Sequence, residues 1–271
     1  MSFRRLVLMD LDIQFLAGVC DWPQLLDATL AAEEAGFGMV WTLDHLSGSV
    51  FGTDSAFECF TLLGALASAT SRIGLGSLVA NVTNRHPGLL AVAASSVQEI
   101  SGGRFVLGLG AGTSPSSPFA VEPRSLGITV APTLAARHAR LQDTLDLLDS
   151  IWADDRDPRW DGFAQPHPKP PTLLGVNSRA LATIAGARTN GVNVASAHPD
   201  AAGIIHAARS ARRPSNERWM TTTWSAWDGA LVDPAHPERV RLEGLGVDRL
   251  VLMWPTAPDI DEIASVKLPK T

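Results

Sequence analysis

The feature that most constrains this chain is an alternation that runs through nearly all of its 271 residues. Short apolar runs at Leu6–Met9, Phe37–Leu43, Ile73–Ala80, Arg104–Gly110, Thr172–Val176, Gly191–Ala195, Arg218–Ala226 and Arg249–Trp254 read as strands. Segments of helical period separate most of them. Asp21 caps one in which Leu25, Leu26, Thr29, Ala32 and Ala35 recur, and Gly36 ends it. Others span Phe57–Thr70, Pro87–Ile100, Pro132–Trp152, Ser178–Arg188, Pro199–Arg212 and Glu238–Leu245. Strict alternation implies parallel strands joined by right-handed crossovers. Eight such units in this length fit a closed α/β barrel of the TIM (β/α)8 type, which typically takes about 250 residues. A doubly wound open sheet is the runner-up. The irregular segment Asp154–Pro171 is followed by the same repeating unit, so residues 1–271 read as one barrel domain with short insertions.

A barrel places its chemistry where strands end and helices begin. Asp44-His45, Ala80-Asn81, Gly110–Thr113, Gly175–Ser178 and Trp224–Trp227 fall there. In Ile73–Pro87, the glycines at 74 and 76 thin one strand face, and the exit is polar and Asn-rich. Such a backbone is suited to approach something flat and large. Gly112–Ala131 shows no period, and a stretch of that length in a compact domain is either functional or disordered.

Composition removes several classes. A net charge of −6 without a basic run gives phosphate backbones nothing to grip, so no nucleic-acid partner is expected. No apolar run reaches the length of a membrane span, and no signal peptide is read in MSFRRLVLMDLD, where Asp10 and Asp12 interrupt the apolar run. Two cysteines without redox or metal spacing suggest a reduced, cytoplasmic setting. The histidines form no HxH or HExxH pattern, so no metal site is expected. Gly108–Gly112 has GxGxG spacing with no helix after it, which disfavours a dinucleotide fingerprint. Gly175-Val176-Asn177-Ser178 enters a helix, and its exposed amides can bind an anion; the same residues serve equally as an ordinary N-cap. His45 is a candidate proton donor or acceptor, a role histidine can fill near neutral pH; a surface histidine is the alternative.

Several motifs in order carry a resemblance. These are Ala32–Phe37 with Trp41–Leu46, Thr70–Ile73 through Arg85-His86-Pro87, Ser101–Phe105 through Gly112, Pro170–Ser178, and Gly191-Val192-Asn193. Together they resemble the bacterial luciferase-like family of flavin- and deazaflavin-dependent oxidoreductases. The resemblance implies a TIM barrel holding FMN or coenzyme F-420 at its C-terminal mouth. It implies a third-strand bulge at Leu78-Val79-Ala80, with a non-proline cis peptide at Leu78-Val79, behind the ring. Asp44 and His45 would face ring and substrate, and Asn81 would lie beside the ring. Gly110 to Gly112 would pass near the cofactor tail, and Gly175, Val176, Asn177 and Ser178 would hold its phosphate. Where relatives carry Gly-Gly-Ser-Gly, this chain has Gly175-Val176-Asn177-Ser178. Where sugar-phosphate dehydrogenases of the deazaflavin branch carry a glutamate, it has Thr113.

The first reading is therefore a deazaflavin (F-420)-dependent oxidoreductase moving hydride to or from a small organic substrate. His45 would carry the proton and Asp44 would orient it or the ring, in an apolar pocket walled by Trp41 and Trp224. The alternatives are an FMN-dependent monooxygenase fed by a partner flavin reductase, and a non-catalytic flavin-binding barrel. A homodimer is the assembly the resemblance suggests.

Overall fold

The computed structural model describes residues 9–214 and 218–269. Nine strands are present among them: β1 (Asp10–Phe15), β2 (Met39–Thr42), β3 (Gly74–Ser77), β4 (Ala80–Asn81), β5 (Phe105–Gly110), β6 (Thr172–Gly175), β7 (Gly191–Ala195), β8 (Met220–Ala226) and β9 (Arg249–Trp254). The helices are α1 (Trp22–Ala35), α2 (Cys59–Ala69), α3 (Pro87–Ile100), α4 (Val121–Ser125), α5 (Leu134–Trp152), α6 (Arg179–Arg188), α7 (Ala201–Ser210), α8 (Pro237–Gly244) and α9 (Ile260–Ser265). Every strand pair is parallel. The sheet runs β3-β2-β1-β9-β8-β7-β6-β5-β4, and a further β3–β5 pairing closes it. β3 and β4 are two halves of one barrel position, so the closed ring has eight staves, as the alternation required.

The break between those halves is a register change. Gly76 pairs with Val106 and Ala80 with Leu109, so four steps on one side run against three on the other. The extra residue sits at Leu78-Val79, whose peptide is cis, as the resemblance implied. Glycines on the neighbouring strands make room for this bulge. A Cβ at Gly110 would lie 2.6 Å from Val79 Cγ2, and one at Gly175 would lie 2.7 Å from Val79 Cγ1.

Two apolar clusters hold the barrel. The larger joins the outer strand faces to the helices. The smaller comprises Met39, Trp41, Leu78, Val106, Leu173 and Val251, from β2, the β3/β4 stave, β5, β6 and β9, the last of which is separated from the others around the ring. Such side chains can meet only inside it, which makes them the packed interior of a small barrel.

Four expectations need correction. The thin face at Gly74 and Gly76 does not await a ligand. A Cβ at Gly76 would collide with the Trp41 ring, and one at Gly74 would lie 2.6 Å from Met39 Cγ, so both glycines accommodate the chain's own side chains. The strand read at Leu6–Met9 falls, at residues 6–8, outside the described residues. The first strand among the described residues is Asp10–Phe15, and it passes through both aspartates. Asp12 is tolerated there, fully buried, because Arg249 and the Trp41 indole satisfy it. Third, Gly112–Ala131 contains a 3-10 turn at Pro118–Ala120 and the short α4. Finally, α5 begins two residues after Pro132, with Thr133 as its N-cap, and α9 was not anticipated from the sequence.

Candidate functional site

A cavity of about 610 Å³ opens at the C-terminal ends of the strands. Its walls draw on the end of nearly every stave: Gln14, Asp44, His45, Leu78, Val79, Asn81, Gly110, Gly112, Gly175, Asn177, Asn193, Trp224 and Met253 all reach it. Of the residues nominated from sequence, His45, Asp44, Leu78, Val79, Asn81, Gly110, Gly112, Gly175, Val176 and Asn177 line it. Ala80 and Ser178 do not. Ala80 points outward into the main core, and the Ser178 hydroxyl accepts from Leu181 N at 3.4 Å as the N-cap of α6. Trp224 is in the wall, whereas Trp41 lies in the packed interior below it.

Asp44 sits in a closed electrostatic circuit. Arg85 donates to both of its oxygens at 2.7 Å, the Asn81 amide donates to Oδ2 at 2.9 Å, and Asn84 Nδ2 donates to the Asp44 carbonyl at 3.0 Å. Arg85 also reaches Glu58 Oε1 at 2.5 Å. Burial alone would lower the Arg85 pKa, but the hydrogen bonds and charge of Asp44, with Glu58 beside it, outweigh burial and raise it. Asp44 therefore fixes the β2 and β4 ends relative to each other. It does not orient His45, so that expected role is corrected: its carboxylate is turned to Arg85 and Asn81.

The partner of His45 is Glu122, with Nδ1 and Oε2 2.9 Å apart. The other Glu122 oxygen accepts from the amides of Leu46 and Ser47 at 3.1 and 2.9 Å. Glu122 is buried, and α4 brings it over the mouth from the segment after β5. A carboxylate facing Nδ1 fixes the proton there in the neutral ring, leaving Nε2 as an acceptor. No described residue engages Nε2. Phe119 and Phe51 flank the imidazole, with centroids 4.9 and 5.1 Å away. Sequence reasoning missed Glu122; its one signal was an irregular segment too long to be idle.

Arg137 and His138 line the same cavity from the N-terminal part of α5. Because α5 connects β5 to β6, this part of it stands above Gly110–Thr113 and Gly175–Asn177. Arg137 has no carboxylate partner among the described residues. His138 Nε2 is buried without a hydrogen-bond partner. Burial, and then the charge of Arg137, hold the His138 pKa below its ordinary value of 6.5. Two unanswered nitrogen groups in one cavity wall are a ready receptor for an anion. Gln14 was also missed; its Nε2 donates to Leu78 O at 2.8 Å and holds the bulge from beneath. Among the described residues, no group of three or more His, Cys, Asp or Glu is placed to hold a metal ion, and no helix is long and apolar enough to cross a membrane.

The family model described as luciferase-like monooxygenase matches residues 1–219. The chain belongs to this family. Among curated relatives, the F420-dependent glucose-6-phosphate dehydrogenase of Microbacterium testaceum (strain StLB037) is 30% identical over 174 residues, covering 60% of this chain and 49% of that protein. The 4-hydroxyprotoasukamycin monooxygenase of Streptomyces nodosus subsp. asukaensis is 32% identical over 123 residues, covering 45% of this chain and 30% of the relative. The chain thus spans half or less of the length of these relatives. Among solved structures, an F420-dependent secondary alcohol dehydrogenase in complex with an F420-acetone adduct superposes with a TM-score of 0.72 at 17% identity, covering 95% of this chain and 97% of the other. At that identity the likeness speaks for the fold.

Proposed function

We propose that this luciferase-like barrel is an F420-dependent oxidoreductase acting on a small organic molecule. The observation that carries the reading is the pairing of two unlike ends in one cavity: a His45–Glu122 proton-handling pair and an unanswered cationic corner at Arg137 and His138. F420-dependent proteins among both the curated relatives and the solved structures support the choice of coenzyme.

The residues present fit such a coenzyme. Leu78 and Val79 would stand behind its ring, Asn81 beside it, and Gly110 and Gly112 along its tail. Arg137, His138 and the Gly175–Asn177 turn would receive its phosphate. Gly112 has φ +89, a left-handed conformation that favours glycine, and a Cβ there would lie 3.0 Å from Thr83 Cγ2. When bound, the deazaflavin supplies a two-electron hydride acceptor or donor. The proton is left to the protein. His45 Nε2 takes it from a substrate hydroxyl, or returns it to a carbonyl oxygen. Glu122 holds the tautomer and stabilises the imidazolium that forms. Phe51 and Phe119 cover the ring and exclude water from it. Asp44 and Arg85 keep the mouth rigid while this occurs.

The segment carrying Phe119 and Glu122 also favours a second reading, because an FMN-dependent monooxygenase needs such a cover over reduced flavin supplied by a reductase. Parallel fluorescence titration with oxidised F420 and FMN separates the two. The proposal expects F420 to bind at least about tenfold more tightly, a difference near 1.4 kcal/mol. Tight FMN binding with none for F420 would reverse the order, and binding of neither would leave a barrel without a cofactor.

A further inference from the structure

The charges around the cavity are unequally available. Asp44 is saturated by Arg85, Asn81 and Asn84. Glu122 is saturated by His45 and two backbone amides. Arg85 is held between Asp44 and Glu58 and is not part of the lining. Among the described lining residues, the charge left for a ligand is that of Arg137, with His138 beside it, on the α5 wall. The surroundings of His45 are different in kind. Phe51 and Phe119 flank its imidazole, and Leu43, Val50, Trp224 and Met253 add further apolar surface to the same cavity.

From this division we infer that the substrate is uncharged and mainly apolar, several carbons long, and presents a single hydroxyl or carbonyl to His45. The inference rests on the coenzyme reading above, because a phosphorylated coenzyme occupies the Arg137–His138 corner and leaves no cation for a second phosphate. A sugar phosphate would then bring a dianion against phenylalanine and tryptophan. It would also set several hydroxyls against a wall made mainly of apolar side chains. Both are costly to desolvate. A hydrocarbon body gains instead: each methylene buried against such a wall strengthens binding by about fourfold until the cavity is full.

The test is calorimetric titration with a series of methyl ketones (butanone, hexanone, octanone), beside glucose and glucose 6-phosphate. Each is added to the free protein and to protein saturated with F420. The expected result is affinity rising about threefold to fourfold per methylene, with both sugars at least about a hundredfold weaker than octanone. Phe119→Ala, at a half-exposed position outside the core, should flatten the chain-length dependence. Glucose 6-phosphate binding as tightly as octanone, or affinity indifferent to chain length, would overturn the inference. F420 saturation is followed separately by its own fluorescence. Failure of F420 to bind would remove the coenzyme reading, while the ketone series on the free protein still decides the character of the wall.

Discussion

His45 and Glu122 are 77 residues apart in the chain, yet His45 Nδ1 lies 2.9 Å from Glu122 Oε2. The contact ties the end of β2 to the segment contributed after β5, so His45 and the helix that carries Glu122 are held together. His45→Ala is expected to lower kcat by about a hundredfold or more, the usual range for a positioned acid–base group, with coenzyme affinity within a few-fold of the parent. Glu122→Gln keeps the shape but removes the charge and turns one of the two accepting oxygens into a donor NH2, and a fall of about tenfold to a hundredfold is expected. Steady-state kinetics beside F420 titration checks both. Full activity in His45→Ala would remove it from the chemistry.

Arg137 should matter for binding rather than turnover. Its replacement by methionine preserves helix propensity and bulk, so the loss of one charge-assisted contact is expected to weaken F420 by about tenfold to a hundredfold. The kcat at saturating coenzyme should change little. A kcat defect without a binding defect would place Arg137 near the reacting atoms instead.

His138 provides a pH signature for the same corner. Its pKa lies below the ordinary 6.5 because of burial and, secondarily, Arg137. An anion bound there offsets the Arg137 charge and moves the pKa upward. Binding should therefore take up protons, and affinity should rise as pH falls through the region just below 6.5. Binding heats measured in buffers of different ionisation enthalpy report the proton directly. His138→Asn should abolish the uptake.

The bulge can be tested by relief of a clash. Gly175→Ala places a methyl group 2.7 Å from Val79 Cγ1, and the bulge must shift to admit it. A loss of about 1–3 kcal/mol in stability is expected, as for other overpacked cores. Val79→Ala removes the obstructing methyls, so the double variant should recover part of that loss, a coupling that a double-mutant cycle measures. Additive losses would show that Gly175 is needed for another reason.

Glu33 predicts the acid limb of stability. Its Oε1 accepts from the amides of Ser71, Arg72 and Ile73 at 3.0, 2.6 and 2.9 Å, just before β3. Burial acts to raise its pKa, but those three donors and the Arg72 charge prevail and lower it from 4.5. A depressed carboxylate pKa stabilises the fold above the unfolded value and loses that contribution as pH falls through the folded one. Glu33→Ala should cost about 2 kcal/mol at neutral pH. The gap to the parent should narrow as the pH drops below 4.5, as denaturant melts at several pH values would show.

Most of the barrel was legible because its signals are local. Pro87 at a helix start and Gly36 at a helix end act within one turn, and α3, β7 and β9 were read with their true bounds. What escaped depends on partners distant in sequence. Asp12 looks like the end of a strand until Arg249 is placed beside it. Gly76 looks like a site for a ligand until Trp41 is seen to fill the space. Glu122 has no periodicity around it, and only closure of the barrel brings it to His45. For Ser178 the sequence leaves a phosphate ligand and an N-cap equally open, and its hydroxyl is seen to cap α6, an ambiguity that the residue type alone could not resolve.

Trp41, packed against Gly76 and anchored by Asp12, belongs to the layer that plugs the barrel, and Leu78 is both part of that plug and part of the cavity lining. A vessel with a solid floor has one doorway. Whatever enters first is roofed over by what enters second, and departures must reverse arrivals. On the coenzyme reading proposed above, turnover would obey a queue: a coenzyme lying on the floor could not be exchanged until the molecule above it had left.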